Sequence, residues 1–102
     1  IMTIKAIKFE YRTIFKNKKH YYTKIIIPSM NNERDFIVCD LNVLNFNEPI
    51  DRYKVGYETG YFEDFDNIWD CFNYLRKYYF IVRSAPIYIE DIDEEFYIAR
   101  VR

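Results

Sequence analysis

Glycine occurs only at Gly56 and Gly60, and serine only at Ser29 and Ser84, so neither flexible linkers nor a glycine-rich phosphate loop can be built from this chain. Nucleotide hydrolysis on a P-loop or a GxGxxG turn is therefore excluded. His20 is the only histidine, and it lies in a lysine-rich stretch. A Ser–His–Asp relay would have to recruit Ser29 or Ser84, neither of which has the context of a nucleophile elbow. Proline is confined to Pro28, Pro49 and Pro86, positions that suit element boundaries. The two cysteines, Cys39 and Cys71, are far apart and lack a ligand pattern. Two separate buried thiols are the simplest account, with a Cys39–Cys71 disulfide as the alternative, and no metal site is expected. No apolar run approaches the roughly 20 residues that cross a bilayer. The first residues, Ile1 to Lys5, lack the apolar core of a signal peptide, so a cytoplasmic location is the expectation.

Aromatic residues are abundant instead. Eleven Tyr, nine Phe and one Trp among 102 residues exceed what one core of this size needs, so some rings must reach the surface. The near-zero net charge of −1 hides a segregation. The first 30 residues carry seven bases against Glu10 alone, and the remainder carries eight bases against fifteen acids. Such a split gives solvated faces of opposite sign, or a surface that steers a partner.

Strict alternation runs from Ile7 to Phe15, with Ile7, Phe9, Tyr11, Thr13 and Phe15 on one face, which predicts a half-buried strand. Lys16 to His20 reads as a turn, Tyr21 to Ile27 as a β-branched and aromatic strand ending at Pro28, and Asp35 to Leu44 as a third strand. Arg52 to Tyr61 then repeats the first pattern, matching Lys8 to Phe15 at an offset of 46, while Glu95 to Ala99 matches Asp35 to Cys39 at an offset of 60. The offsets differ by about four helical turns. An amphipathic helix over about 65–80 fills that difference: Phe65, Ile68, Trp69, Phe72, Leu75 and Tyr79 recur at helical spacing, with Asp64 or Asp66 as N-cap. Pro86 to Glu90 and Glu95 to Val101 predict a closing hairpin around the acidic turn Asp91–Glu94. That turn could gather a hard cation, but it lacks the glycine of a calcium loop, and a solvated hairpin tip is the simpler reading.

The expected fold is thus α+β, a mostly antiparallel sheet made of two diverged copies of a strand-strand-strand motif, with one helix inserted in the second copy. The whole of 1–102 forms a single domain, with pseudo-repeats over about 3–45 and 51–102. Two binding surfaces are candidates, and neither calls for a cofactor or a catalytic residue. The leading one is a groove between the copies for a peptide or a partner strand, floored by Gly56 and Gly60 and lined by Tyr53, Tyr57, Tyr61 and Trp69. An exposed strand edge would also permit a homo-oligomer. The alternative is a nucleic-acid surface on the basic, aromatic stretch Lys16, Lys18, Lys19, His20, Tyr21, Tyr22 and Lys24, with cations for phosphates and rings for bases.

The runs Lys24-Ile25-Ile26-Ile27 and Tyr78-Tyr79-Phe80-Ile81-Val82, in a compact, Ile- and Tyr-rich, glycine-poor chain, resemble the small orphan proteins of filamentous viruses that infect hyperthermophilic archaea. The resemblance implies a small viral accessory or interaction protein working inside the host cell, and it supplies no functional residues.

Overall fold

The computed structural model describes residues 2–29, 32–41 and 60–95. They form a five-stranded antiparallel sheet with one short helix. The strands are β1 (Met2–Phe15), β2 (Lys18–Pro28), β3 (Phe36–Asp40), β4 (Gly60–Phe62) and β5 (Phe80–Ile92), with α1 (Ile68–Leu75) between β4 and β5. The spatial order is β4-β3-β2-β1-β5. A β1-β2-β3 meander therefore holds the centre, and the two later strands add one to each side of it.

The meander follows from local chemistry. Phe15 and Lys18 are the last cross-strand pair of β1 and β2, leaving Lys16 and Asn17 as a two-residue turn. Both have positive φ, 51° and 63°, the twist-compatible type I′ geometry that joins such strands. The turn is shorter than the predicted Lys16–His20. Lys18, Lys19 and His20 already belong to β2, because the β-branched and aromatic run that follows pulls the ladder up to the turn.

Both faces of the central strands are buried, so their hydrophobic runs are continuous. On one face, Ile7, Phe9, Tyr11, Ile26, Phe36 and Val38 pack under Ile68, Cys71, Phe72 and Leu75 of α1. On the other, Ile4, Ala6, Ile25, Ile27, Ile37, Cys39 and Ile92 form a second cluster. Fully burying each of these aliphatic side chains is worth ~2 kcal/mol. The alternating face predicted for β1 is the one beneath the helix.

The helix is shorter than the predicted 65–80. It is capped by Asn67, not Asp64 or Asp66: the Asn67 side chain accepts from the amides of Trp69 at 2.9 Å and Asp70 at 3.1 Å. Arg76 closes it. The periodicity overran the helix because Phe65 and Tyr79 do pack against the same core as α1, but from the flanking turns. After the turn, Phe80-Ile81-Val82 follow their strand preference.

The second correction concerns where the strand after α1 begins and ends, while its expected hairpin partner, Glu95 to Val101, lies beyond Glu95 itself outside the described residues. Residues 80–92 are one strand that passes through the expected start at Pro86, and its partner is β1. Pro86 is tolerated because β5 is the edge of the sheet among the described residues, where a missing N–H need not interrupt a ladder. Two irregularities bend β5, one opposite Met2–Ile4 and one opposite Glu10–Tyr11. Asp91, expected in the acidic turn, instead lies in the first of these with φ 59°. Of the predicted strand Arg52–Tyr61, Gly60 and Tyr61 fall in β4, while 52–59 and the predicted strand beyond Glu95 lie outside the described residues.

Candidate nucleic-acid interface

The chain direction sorts charge along the sheet. β1 rises to the hairpin turn, β2 returns, α1 climbs back alongside, and β5 descends from Phe80, opposite Arg12, to Ile92, opposite Met2. Arg12, Lys16, Lys18, Lys19 and Arg83 thus meet near the hairpin end, joined by Arg76 and Lys77 from the C-terminus of α1. Among the described residues, most of the acids lie toward the other end, apart from Glu10 opposite Arg83, Asp40 opposite Lys24 and Asp70 on α1. Glu33 and Asp35 lie in the β2–β3 connection, Glu63, Asp64 and Asp66 in the segment before α1, and Glu90 and Asp91 at the end of β5. Arg34 ties two of these segments together, its guanidinium lying 3.5 Å from Asp66 and its carbonyl accepting from the Phe65 amide. Fourteen extended residues span about 45 Å, several Debye lengths at physiological salt. The bases at the hairpin turn are thus remote from the acids at the far end, whereas Arg83 faces Glu10 and Lys77 shares a surface pocket with Asp64, Asp66 and Asp70. Three of the bases near the hairpin end, Arg76, Lys77 and Arg83, come from the part of the sequence that is acidic in sum.

The same end is a thin ribbon. β3 stops at Asp40, opposite Lys24, and β5 starts opposite Arg12, so among the described residues the tip beyond Thr13 has only its hairpin partner. Ile14, Phe15, Tyr21, Tyr22, Tyr78 and Phe80 are all exposed there.

Period two divides the rings between two faces. On the helix side, Tyr22 stacks against Tyr11 at 5.7 Å, Tyr11 lies 4.7 Å from Tyr79, and Phe15 lies 6.5 Å from His20. On the opposite side, the Arg12 guanidinium sits 3.9 Å above the Phe80 ring, with Tyr21 as its cross-strand neighbour on β2. Lys19 pairs with Ile14 one step nearer the turn, and Arg83 faces Glu10 one step further down.

Lys24 is not part of this surface. It is 0% exposed, and its Nζ lies 2.9 Å from Asp40 Oδ1 and 5.9 Å from the Tyr11 ring. Sequence alone could not separate it from its neighbours, because its removal depends on Asp40 standing directly opposite in β3. Conversely, Arg12, Phe80 and Arg83 were missed as site residues. The signal would have been the placement of β5 beside β1, which no local pattern announces.

Of the residues expected to line a peptide groove, Tyr61 and Trp69 are not brought together. Tyr61 packs on the face away from α1 and donates its hydroxyl to Asp35 Oδ2 at 2.8 Å, whereas Trp69 stands on α1 and packs edge-on against Phe72. Gly60 presents no bare strip, since a Cβ there would lie 2.6 Å from the Phe62 ring. Tyr53, Gly56 and Tyr57 lie outside the described residues.

Cys39 and Cys71 are free and buried in different core clusters. Burial pushes both thiols up to about 12, with the nearby Lys24 pulling Cys39 slightly back. Neither is a thiolate nucleophile near neutral pH. Among the described residues, no three His, Cys, Asp or Glu side chains gather as a metal site, and no helix is long and apolar enough to cross a membrane. No family model, curated protein or solved structure matches the chain.

Proposed function

We propose that this chain is a non-catalytic nucleic-acid-binding protein that engages its ligand at the basic, aromatic end of the sheet. The observation that carries this reading is the longitudinal sorting of charge, which gathers Arg12, Lys16, Lys18, Lys19 and Arg83 around exposed rings with Glu10 as the acid among them and most other acids of the described residues toward the opposite end. Cations draw in phosphates by releasing counterions, and rings give sequence-tolerant stacking. The resemblance to proteins of filamentous archaeal viruses would make it an accessory protein inside the host cell.

Fluorescence anisotropy of the full chain with a labelled oligonucleotide tests it. If four cations meet phosphates of a single strand, log K falls with log salt at a slope near −3, or about 50-fold between 50 and 200 mM. Lys18→Ala with Lys19→Ala should shallow that slope by about 1.4. Binding that is absent, or indifferent to salt, would sink the reading.

A second reading, a protein partner, is favoured by the edge strand β5. Among the described residues its outer side has no strand neighbour, and Val82 and Tyr88 are exposed along it. Pro86 and the two bulges divide this edge, so a peptide or a partner's strand would pair with one short run of it, such as 87–90. Titration calorimetry against extended peptides, with no heat for any of them, would count against this.

A further inference from the structure

We infer that the ligand is a single strand, and that it lies across β2, β1 and β5 on the sheet face opposite α1, its bases stacking on Tyr21 and Phe80. This rests on the nucleic-acid reading above and adds the face, the residues and the strandedness. Tyr21, Arg12 and Phe80 form one row across three adjacent strands. Adjacent strands are separated by about 4.8 Å, so the two rings bracket Arg12 at a Cα separation of about 10 Å. Phe80 is 58% and Tyr21 53% exposed. With Arg12 held 3.9 Å over one face of the Phe80 ring, the cation is already placed among the π-surfaces that bases would occupy, where it can serve both stacking and phosphate.

Charge flanks this row on the same face. Lys19 lies one step toward the turn, while Arg83 and Lys8 lie toward the sheet centre, against Glu10 as the one acid of that strip among the described residues. The helix side of the same ribbon is a poorer platform. There Tyr22 leans on Tyr11, which in turn packs on Tyr79, and Lys24 is committed to Asp40. In a duplex the base faces are hidden in the stack, so flat exposed rings on a sheet gain nothing from it, whereas a single strand offers every base as a π-surface. The competing arrangement is insertion of the two-stranded tip into a major groove, which is wide enough for such a ribbon.

The test is anisotropy of the full chain with a labelled 12-nucleotide thymidine strand and with a duplex of equal length. The single strand should bind at least tenfold tighter. Phe80→Ala and Tyr21→Ala should each weaken it by roughly 5- to 100-fold, while Tyr22→Ala, on the other face, changes it by less than twofold. Thermal unfolding of each variant separates lost contacts from lost fold. As a second measurement that needs no variant, photocrosslinking with a bromouracil strand should place the adduct on Tyr21 or Phe80. Equal or tighter duplex binding, or adducts on Tyr22 or Phe15, would overturn this placement and leave the broader reading intact. Binding of neither ligand would overturn both.

Discussion

Asp40→Asn should destabilise this protein far more than Lys24→Met, although the two residues form one ion pair. The Lys24 ammonium is fully enclosed, while Asp40 retains 19% exposure of its side chain. At 2.9 Å and an effective dielectric near 20, their attraction is about 6 kcal/mol, comparable with the several kcal/mol lost in dehydrating each ion. The intact pair is therefore close to balanced. Asp40→Asn preserves shape but removes the carboxylate charge 2.9 Å from a buried cation, at a cost of about 3 to 5 kcal/mol. Lys24→Met removes the buried charge and leaves a carboxylate that can take up water, so the cost should be about 1 kcal/mol. The double variant Lys24→Met/Asp40→Leu should return to within about 1 kcal/mol of the parent. Urea unfolding at 25 °C, followed through the single tryptophan, Trp69, gives the stability of the parent and of all three variants. Equal costs for the two single changes, or a loss under about 1 kcal/mol for Asp40→Asn, would refute the reasoning, because either result means that water reaches Lys24. Lys24→Met should also leave oligonucleotide affinity unchanged within twofold, in contrast to Lys19→Ala.

Asn67→Ala removes the acceptor that holds two amides of α1 and should cost ~1 kcal/mol in a denaturant titration. At Asn17, whose φ is 63°, valine should cost about 1 to 2 kcal/mol by thermal unfolding, and glycine should be neutral or stabilising. The cysteines set an alkaline limit. Their folded values near 12 lie above the ordinary 9.0, so the unfolded chain loses these protons first. Their contribution is complete below pH 9 and falls by up to about 1.4 kcal/mol per pH unit for each thiol between pH 9 and 12. Urea midpoints at pH 8 and pH 10 should show this loss, and Cys39→Ala/Cys71→Ala should lack it.

The strands of the meander, the tight turn after Phe15 and the face of β1 that packs under the helix were legible in the sequence. Each depends on neighbours a few residues away: alternation, φ-tolerant turn residues and β-branched runs. The helix was legible in kind and misjudged in length, because rings in the flanking turns share its core and so its spacing. Of β5, the stretch Pro86 to Glu90 was legible as strand, but its start at Phe80 and its pairing with β1 were not. Pro86 reads locally as the start of a strand, and its place on the sheet edge among the described residues lets β5 run through it.

The sequence by itself determined that this chain is a glycine-poor, aromatic-rich α+β protein with no phosphate loop, and that its bases concentrate early. Tertiary structure alone decided which of those bases are available. Pairing β3 with β2 buries Lys24 against Asp40, and pairing β5 with β1 carries Phe80 and Arg83 to the side of Arg12. The physical reason is that strand partnership is a long-range choice, fixed by which apolar faces can be buried together, and side-chain chemistry follows from it.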